Sequence, residues 1–368
     1  MIINKYKKIV IKIGSTTLIN HKNGNIKKKW FKFICEDINK LHKLNKNITI
    51  VSSGAIALGK RIISNKKQIN KLEDKQAAAA IGQIELAKYW QQGLKKHNII
   101  SAQLLLTLND SEERRRYLNA KKTLSSLHEK KIIPIVNEND TVATEEIRYG
   151  DNDRLAARVS QMINADLLII LTNTDGLYSA NPIKNKIARK INKIKSVNKK
   201  IENMADKNKS IYGSGGMKTK IWAAKICLSS SCSTVITNGQ KYFPLKEIKK
   251  SNSTWFIASK SKSSAKKKWI LNHLQPSGFA IIDDGAEKAI LSNKSLLPAG
   301  IIEIKGKFYR GDVIAVNNKQ NKKIAIGVVA YDSNDAKKII GKKSKEIFNI
   351  LGYETRDELI HKDNLVIA

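Results

Sequence analysis

Four short apolar runs, 9–13 (IVIKI), 48–52 (ITIVS), 132–136 (IIPIV) and 167–172 (LLIILT), constrain the fold of this chain more than any other feature. Runs of this length with β-branched enrichment are typical of strands buried on both faces. Between them lie stretches rich in helix formers with apolar residues near a 3.6 spacing, Trp30 to Leu44 and Gln76 to Lys96. Strands alternating with helices predict an α/β fold, a three-layer sandwich with a mostly parallel central sheet, over about residues 1–258. Ligands in such folds sit where the strands end.

The pattern changes near residue 260. The tract SKSKSSAKKK suits a linker, placed at 259–270. After it FAIIDDGAEKAIL, GIIEIKGKFYRGDVIAV and KIAIGVVAYDS read as short strands with turns at DDG, KG and RGD, so a small, mainly β domain is expected over 271–368. The net charge of +36 would ordinarily suggest nucleic acid or another anionic surface. Here Lys, Asn and Ile, all with A/T-rich codons, are abundant together, and the lysines are spread over nearly every segment. Base composition and solvated surfaces therefore account for the charge better than a basic groove does. Cys35, Cys227 and Cys232 lack metal-ligand or disulfide-framework spacing, which argues against zinc and secretion. The start, MIINKYKKIVIKIGS, reads as a first strand rather than a signal peptide, and no stretch reaches transmembrane length, so a cytoplasmic protein without membrane contact is expected.

The chemistry is expected in the first domain, at turns that directly follow strands. In Lys12-Ile13-Gly14-Ser15 the glycine lets backbone N–H groups approach an anion and Lys12 adds a point charge, although alone this is also an ordinary strand-end turn. Ser52-Ser53-Gly54-Ala55 leads from a strand into a helix start, a second anion-binding arrangement or a simple N-cap. The stretch PIVNENDTVATEEIRYGDNDRLAARVS concentrates Asn137, Glu138, Asn139, Asp140, Asp151, Asn152 and Asp153. Amides and carboxylates of this kind can grip an amino acid's ammonium and carboxylate, orient lysines or touch metal-bound water, and Asp153 can also cap the following helix. Leu171 to Tyr178 (LTNTDGLY) is a further strand-end turn suited to a nucleotide. Gly213 to Lys220 (GSGGMKTK) precedes a helix, with the logic of a phosphate-cradling loop but not the P-loop pattern.

These stretches, with VIKIGSTTL, IVSSGAIALG, QAAAAIGQ, QLLLT, RRRYLNAKKTL and LLIILTNTDGLYSANP in order, resemble the amino-acid kinase superfamily in its glutamate-phosphorylating branch, nearly end to end, with SLLPAGIIEIKGKFYRGDVIAV resembling a C-terminal PUA domain. The resemblance implies an ATP-dependent enzyme, with magnesium accompanying ATP, that phosphorylates the side-chain carboxylate of L-glutamate at the start of proline biosynthesis. It implies catalytic roles for Lys12, Lys220, Asp151 and Asp153. It places the nucleotide at Lys12, Thr172, Asn173, Ser214, Gly215, Gly216, Met217, Lys218, Thr219 and Lys220, and glutamate at Ser53, Gly54, Ala55, Asp140 and Asn152. No metal-ligand residues are assigned. It further implies proline as a feedback inhibitor and a homo-oligomer. The chain departs from the family at Asn173, where Asp is common, with Asp175 two positions on, and carries Ser214 where Thr is frequent. Other acyl-phosphate-forming kinases, for acetylglutamate, aspartate or carbamate, share this fold, but NEND with GDND and the PUA-like tail favour glutamate. RNA binding through the PUA-like domain is a separate alternative; the aromatics there, Phe279, Phe308 and Tyr309, are scattered rather than clustered as a stacking platform. A carboxylate nucleophile is already ionised at neutral pH, so no general base is required and none of the six histidines needs to lie in a motif.

Overall fold

All four apolar runs form strands of one eight-stranded sheet in the computed structural model, which describes residues 1–20, 22–63, 71–107, 110–111, 113–142, 152–180, 182, 185, 187–206, 216–258, 276–353 and 356–367. The strands are β1 (Lys8–Ile13), β2 (Asn47–Ser52), β3 (Ser101–Leu106), β4 (Ile133–Glu138), β5 (Leu167–Thr172), β6 (Lys193–Ile194), β7 (Ser233–Asn238) and β8 (Ser253–Phe256). They lie in the order β3-β4-β2-β1-β5-β7-β8-β6. From β3 to β7 every pairing is parallel; β8 runs antiparallel to β7, and β6 is parallel to β8. The helices are α1 (Ser15–Leu18), α2 (Lys28–Lys43), α3 (Ala55–Ile63), α4 (Leu72–Lys95), α5 (Arg114–Glu129), α6 (Asn152–Met162), α7 (Lys199–Asp206) and α8 (Met217–Ser229).

Strand alternation sorts the central residues between two cores. Ile9, Ile11 and Ile13 of β1, with Ile48 and Ile50 of β2, pack against Trp30, Ile34 and Ile38 of α2 and Leu86, Trp90 and Leu94 of α4. Val10, Val51, Leu168 and Ile170 point the other way, onto Leu155 and Val159 of α6 and Ile221 and Ala224 of α8. Residues two apart on a strand share a face. Lys12 therefore lies on the Val10 side and aims at α6 and α8.

Helices α3 and α4 touch backbone to backbone. A Cβ on Gly59 would stand 1.7 Å from the Ala78 carbonyl oxygen, and one on Gly82 would stand 1.8 Å from that of Ala55, the first residue of α3. Gly82→Ala is expected to force the helices apart at a cost of about 3 kcal/mol. The check is a lower denaturant midpoint at unchanged slope.

The chain divides into two compact units, Met1–Lys260 and Ser261–Ala368. The expected linker, 259–270, and residues 271–275 lie outside the described residues. The second unit carries a five-stranded sheet, β9 (Gly278–Ile282), β10 (Ile301–Gly306), β11 (Val313–Asn317), β12 (Lys323–Val328) and β13 (Leu365–Ile367), in the order β10-β9-β11-β12-β13. Of the expected turns, DDG instead opens a helix, α9 (Asp284–Leu291), because Asp283 caps it by accepting from the Ala286 N–H at 2.7 Å. The RGD turn is present, with Gly311 at φ 97°, whereas KG closes strand β10, where Gly306 pairs with Gly278 at φ 94°. Of the three aromatics singled out there, Phe308 is core and Tyr309 is exposed. Among the described residues no helix is long and apolar enough to cross a membrane.

Candidate active site

Parallel strands deliver their carboxyl ends to one edge. There β1 leads into Gly14, β2 into Ser53-Gly54, β4 into Asn139-Asp140 and β5, ending at Thr172, into Asn173. From β1 the sheet is extended by β2 on one side and β5 on the other, the kind of reversal that opens a ligand crevice. Ser53 extends the ladder by one bond, its N–H donating to Ile13 O at 3.0 Å. Gly54 then takes φ 121°, a conformation that side chains rarely adopt, and lets α3 begin at once. A Cβ on Gly14 would lie 3.7 Å from Lys12 Nζ, so glycine there leaves that ammonium uncovered from the backbone side.

The strand face, α6 and α8 converge on one carboxylate. Asp153 Oδ1 is 2.6 Å from Lys12 Nζ, and Asp153 Oδ2 is 3.0 Å from Lys220 Nζ. Thr219 Oγ1 lies 2.9 Å from the same Oδ2 and 2.9 Å from Gly216 O, two acceptors for its one hydrogen. Asp153 is fully buried, and the lysine side chains are 8% and 7% exposed. Burial alone would raise the Asp153 carboxyl, but the two ammonium groups outweigh it and hold the group well below the usual carboxylate range. Asp153, read from sequence as a possible helix cap, thus spends both oxygens on lysines. Helix α8 is preceded by its N-cap Gly216, whose extended backbone offers no side-chain cap and has open space where a Cβ would be. Its first-turn N–H groups and macrodipole favour an anion in front of them.

One residue before Asp153 a second group begins. Asn152 Nδ2 donates to Ser53 Oγ at 2.6 Å and to Asn137 Oδ1 at 2.9 Å, and Asn137 Nδ2 donates to Gln83 Oε1 of α4 at 2.6 Å. Asn152 Oδ1 is buried and has no hydrogen-bond partner among the described residues. Asp140 is half-buried, and its carboxyl is pushed up to about 6 by burial. Ala55 is buried at the start of α3. Outside both groups, the Arg154 guanidinium of α6 stands 4.5 Å from the Trp222 ring of α8, tying together the helices that carry Asp153 and Lys220.

The structure therefore brings Lys12, Asp153, Thr219 and Lys220 into contact, with Ser53 and Asn152 beside them. Met217 is buried at the α8 start and Lys218 is exposed. Thr172 is buried at the end of β5, its carbonyl accepting from Gly239 N at 2.7 Å and its hydroxyl donating to Asn173 Oδ1 at 3.3 Å. Asn173 is exposed. Asp151, Ser214 and Gly215 lie outside the described residues. Sequence reading assigned no role to Gln83, although it closes the QAAAAIGQ stretch, and it noted Asn137 without assigning it a ligand. Among the described residues no three His, Cys, Asp or Glu side chains gather as a metal site.

Residues 7–238 match the amino acid kinase family and residues 278–351 match the PUA domain. The glutamate 5-kinase of Agrobacterium fabrum is 49% identical over 364 residues, covering 99% of this chain and 93% of its own. That of Paramagnetospirillum magneticum is 47% identical over 362 residues, 98% of each chain. Likeness at this level from end to end, on a sheet whose carboxyl edge gathers the two lysines on Asp153, shows that the chain belongs to the amino acid kinase family, in its glutamate 5-kinase branch.

Proposed function

We propose that this chain transfers the γ-phosphoryl group of ATP to the side-chain carboxylate of L-glutamate, giving L-glutamyl 5-phosphate, the first step of proline biosynthesis. The observation that carries this reading is the buried Lys12–Asp153–Lys220 cluster directly beside the Asn152–Ser53 pair. Phosphoryl transfer to a carboxylate brings two anions together, and its loose transition state spreads negative charge over the transferring oxygens. Lys12 and Lys220 supply positive charge there, preplaced by Asp153. The α8 N-terminus, from Gly216 through Met217, Lys218 and Thr219, receives the phosphates, with Ser214 and Gly215 preceding it. Thr172 and Asn173 hold the nucleotide. Magnesium would accompany ATP and offset the charge on its phosphates. Asp151 is assigned to orienting a lysine or metal-bound water.

On the acceptor side, Asp140 and Asn152 Oδ1 suit the ammonium of glutamate, and Ser53 with the Gly54 and Ala55 backbone suits its carboxylate. Proline shares an ammonium and a carboxylate with glutamate and is assigned to the same place, so its inhibition should be competitive with L-glutamate. The deciding assay is ADP release, with hydroxylamine trapping of the acyl phosphate, across L-glutamate, N-acetylglutamate, aspartate and carbamate. L-glutamate should exceed the others by about a hundredfold in kcat/KM. Equal rates across the panel would end the assignment.

Asp140 adds a pH dependence. With its carboxyl near 6 in the free protein, it is protonated below that value and must lose the proton to meet an ammonium. KM for L-glutamate should be flat above about pH 6 and rise roughly tenfold per unit below it, while KM for ATP stays constant. An Asp140→Asn enzyme should lose that slope.

A further inference from the structure

The amide chain Gln83–Asn137–Asn152–Ser53 has a direction. Each amide in it presents either a carbonyl or an NH2 to its neighbour, and fixing one end fixes the rest. Gln83 accepts from Asn137 Nδ2, so Asn137 must offer its carbonyl to Asn152 Nδ2. The second hydrogen of that NH2 goes to Ser53 Oγ, which leaves Asn152 Oδ1 buried without a hydrogen-bond partner among the described residues. Asn137 and Asn152 are both buried, at 2% and 5% exposure, so neither exchanges orientation cheaply against water. With the chain reversed, Asn152 would present an NH2 instead, a group that repels an ammonium and suits a carboxylate.

We infer that Gln83, on α4 and outside direct ligand contact, is a positioning residue that sets the acceptor site's polarity through two intervening amides, so that Asn152 presents a carbonyl to an ammonium. This rests on the reading of Asn152 and Ser53 as the glutamate site. The chain needs only an acceptor at position 83. A carboxylate supplies one and cannot donate, so Gln83→Glu keeps the direction, whereas Gln83→Met keeps the length and flexibility but removes the acceptor.

The test is steady-state kinetics of the full-length enzyme and these two variants, with thermal melting beside it. Gln83→Met should raise KM for L-glutamate about tenfold, the worth of one buried oriented hydrogen bond, with kcat and KM for ATP within about twofold. Gln83→Glu should restore KM for L-glutamate to within about threefold of the parent. A Met variant with parental KM, or a Glu variant as poor as the Met variant, overturns the inference. A packing role would lower melting temperature without separating the two KM values. If the parent enzyme instead takes another acceptor, the glutamate reading falls and the same two ratios are read on that acceptor. If it turns over none, Gln83→Met should lower the melting temperature and Gln83→Glu should not, and equal melting of the two variants overturns the relay.

Discussion

Asp153→Asn should cost this protein about 3–5 kcal/mol of stability and nearly all of its turnover, because the substitution keeps the side chain's shape and removes the one charge that two buried ammonium groups share. Lys12 and Lys220 reach Asp153 from different elements, β1 and α8, at 2.6 and 3.0 Å, with almost no water to screen them. An asparagine can accept from one lysine, but its NH2 then faces the other as donor against donor, and the ammonium groups repel across it. Chemical denaturation of parent and variant measures the loss. Its pH dependence follows from the depressed carboxyl. A group held below its unfolded value stabilises the fold above about pH 4 and loses that contribution as pH falls further. The gap between the two proteins should therefore be constant from pH 5 to neutrality, about pH 7, and close only in stronger acid. An ATP analogue brings negative charge to the same lysines, so it should raise the variant's melting temperature more than the parent's. A variant within about 1 kcal/mol of the parent would show that the ion cluster is not what holds β1, α6 and α8 together.

The parts of this architecture legible in the sequence are those whose signal is local. The runs at β1, β2, β4 and β5 are apolar on both faces because helices cover both, and a buried parallel strand has no other way to be written. Strand β3 (SAQLLL) carries no continuous apolar run because it lies at the sheet edge, where Gln103 and Leu105 are exposed. Strand β7 (STVITN) hides behind buried hydroxyls, Thr234 and Thr237, that read as polar. In the site, the turn at Gly54 is visible because its φ of 121° demands glycine. The Asn137–Gln83 bond joins residues 54 positions apart and has no local pattern. Asp153 shows the same limit in reverse, since a carboxylate at a helix start looks like a cap until the fold brings Lys12 and Lys220 to it. Alternation along β1 did hold part of the answer: Lys12 shares the face of Val10, so it had to meet whichever helices cover that face.

Lys220→Ala separates chemistry from scaffolding in a way that the Asp153 change cannot. Removing Lys220 leaves Asp153 with Lys12 at 2.6 Å and with the Thr219 hydroxyl at 2.9 Å, so the carboxylate keeps a partner and stability should fall by clearly less than in Asp153→Asn. Turnover should fall on the order of a hundredfold or more, by analogy with the loss of a preplaced oxyanion donor. ATP already carries charge on these phosphates, and Lys220 is assigned to bind more tightly the transition state, in which charge shifts toward the leaving oxygen as the bond to the γ-phosphorus breaks. The loss should therefore appear in kcat and in kcat/KM alike, with KM for ATP little changed. Lys220→Arg should not rescue it: the ammonium is a compact point charge 3.0 Å from Asp153 in a site only 7% exposed, and a guanidinium is a broader, planar donor. A Lys220→Ala enzyme with near-parental kcat would move the electrostatic role to Lys12 and the α8 amides. A variant whose KM for ATP rose while kcat held would instead make Lys220 a ground-state phosphate ligand, binding ATP and its transition state equally.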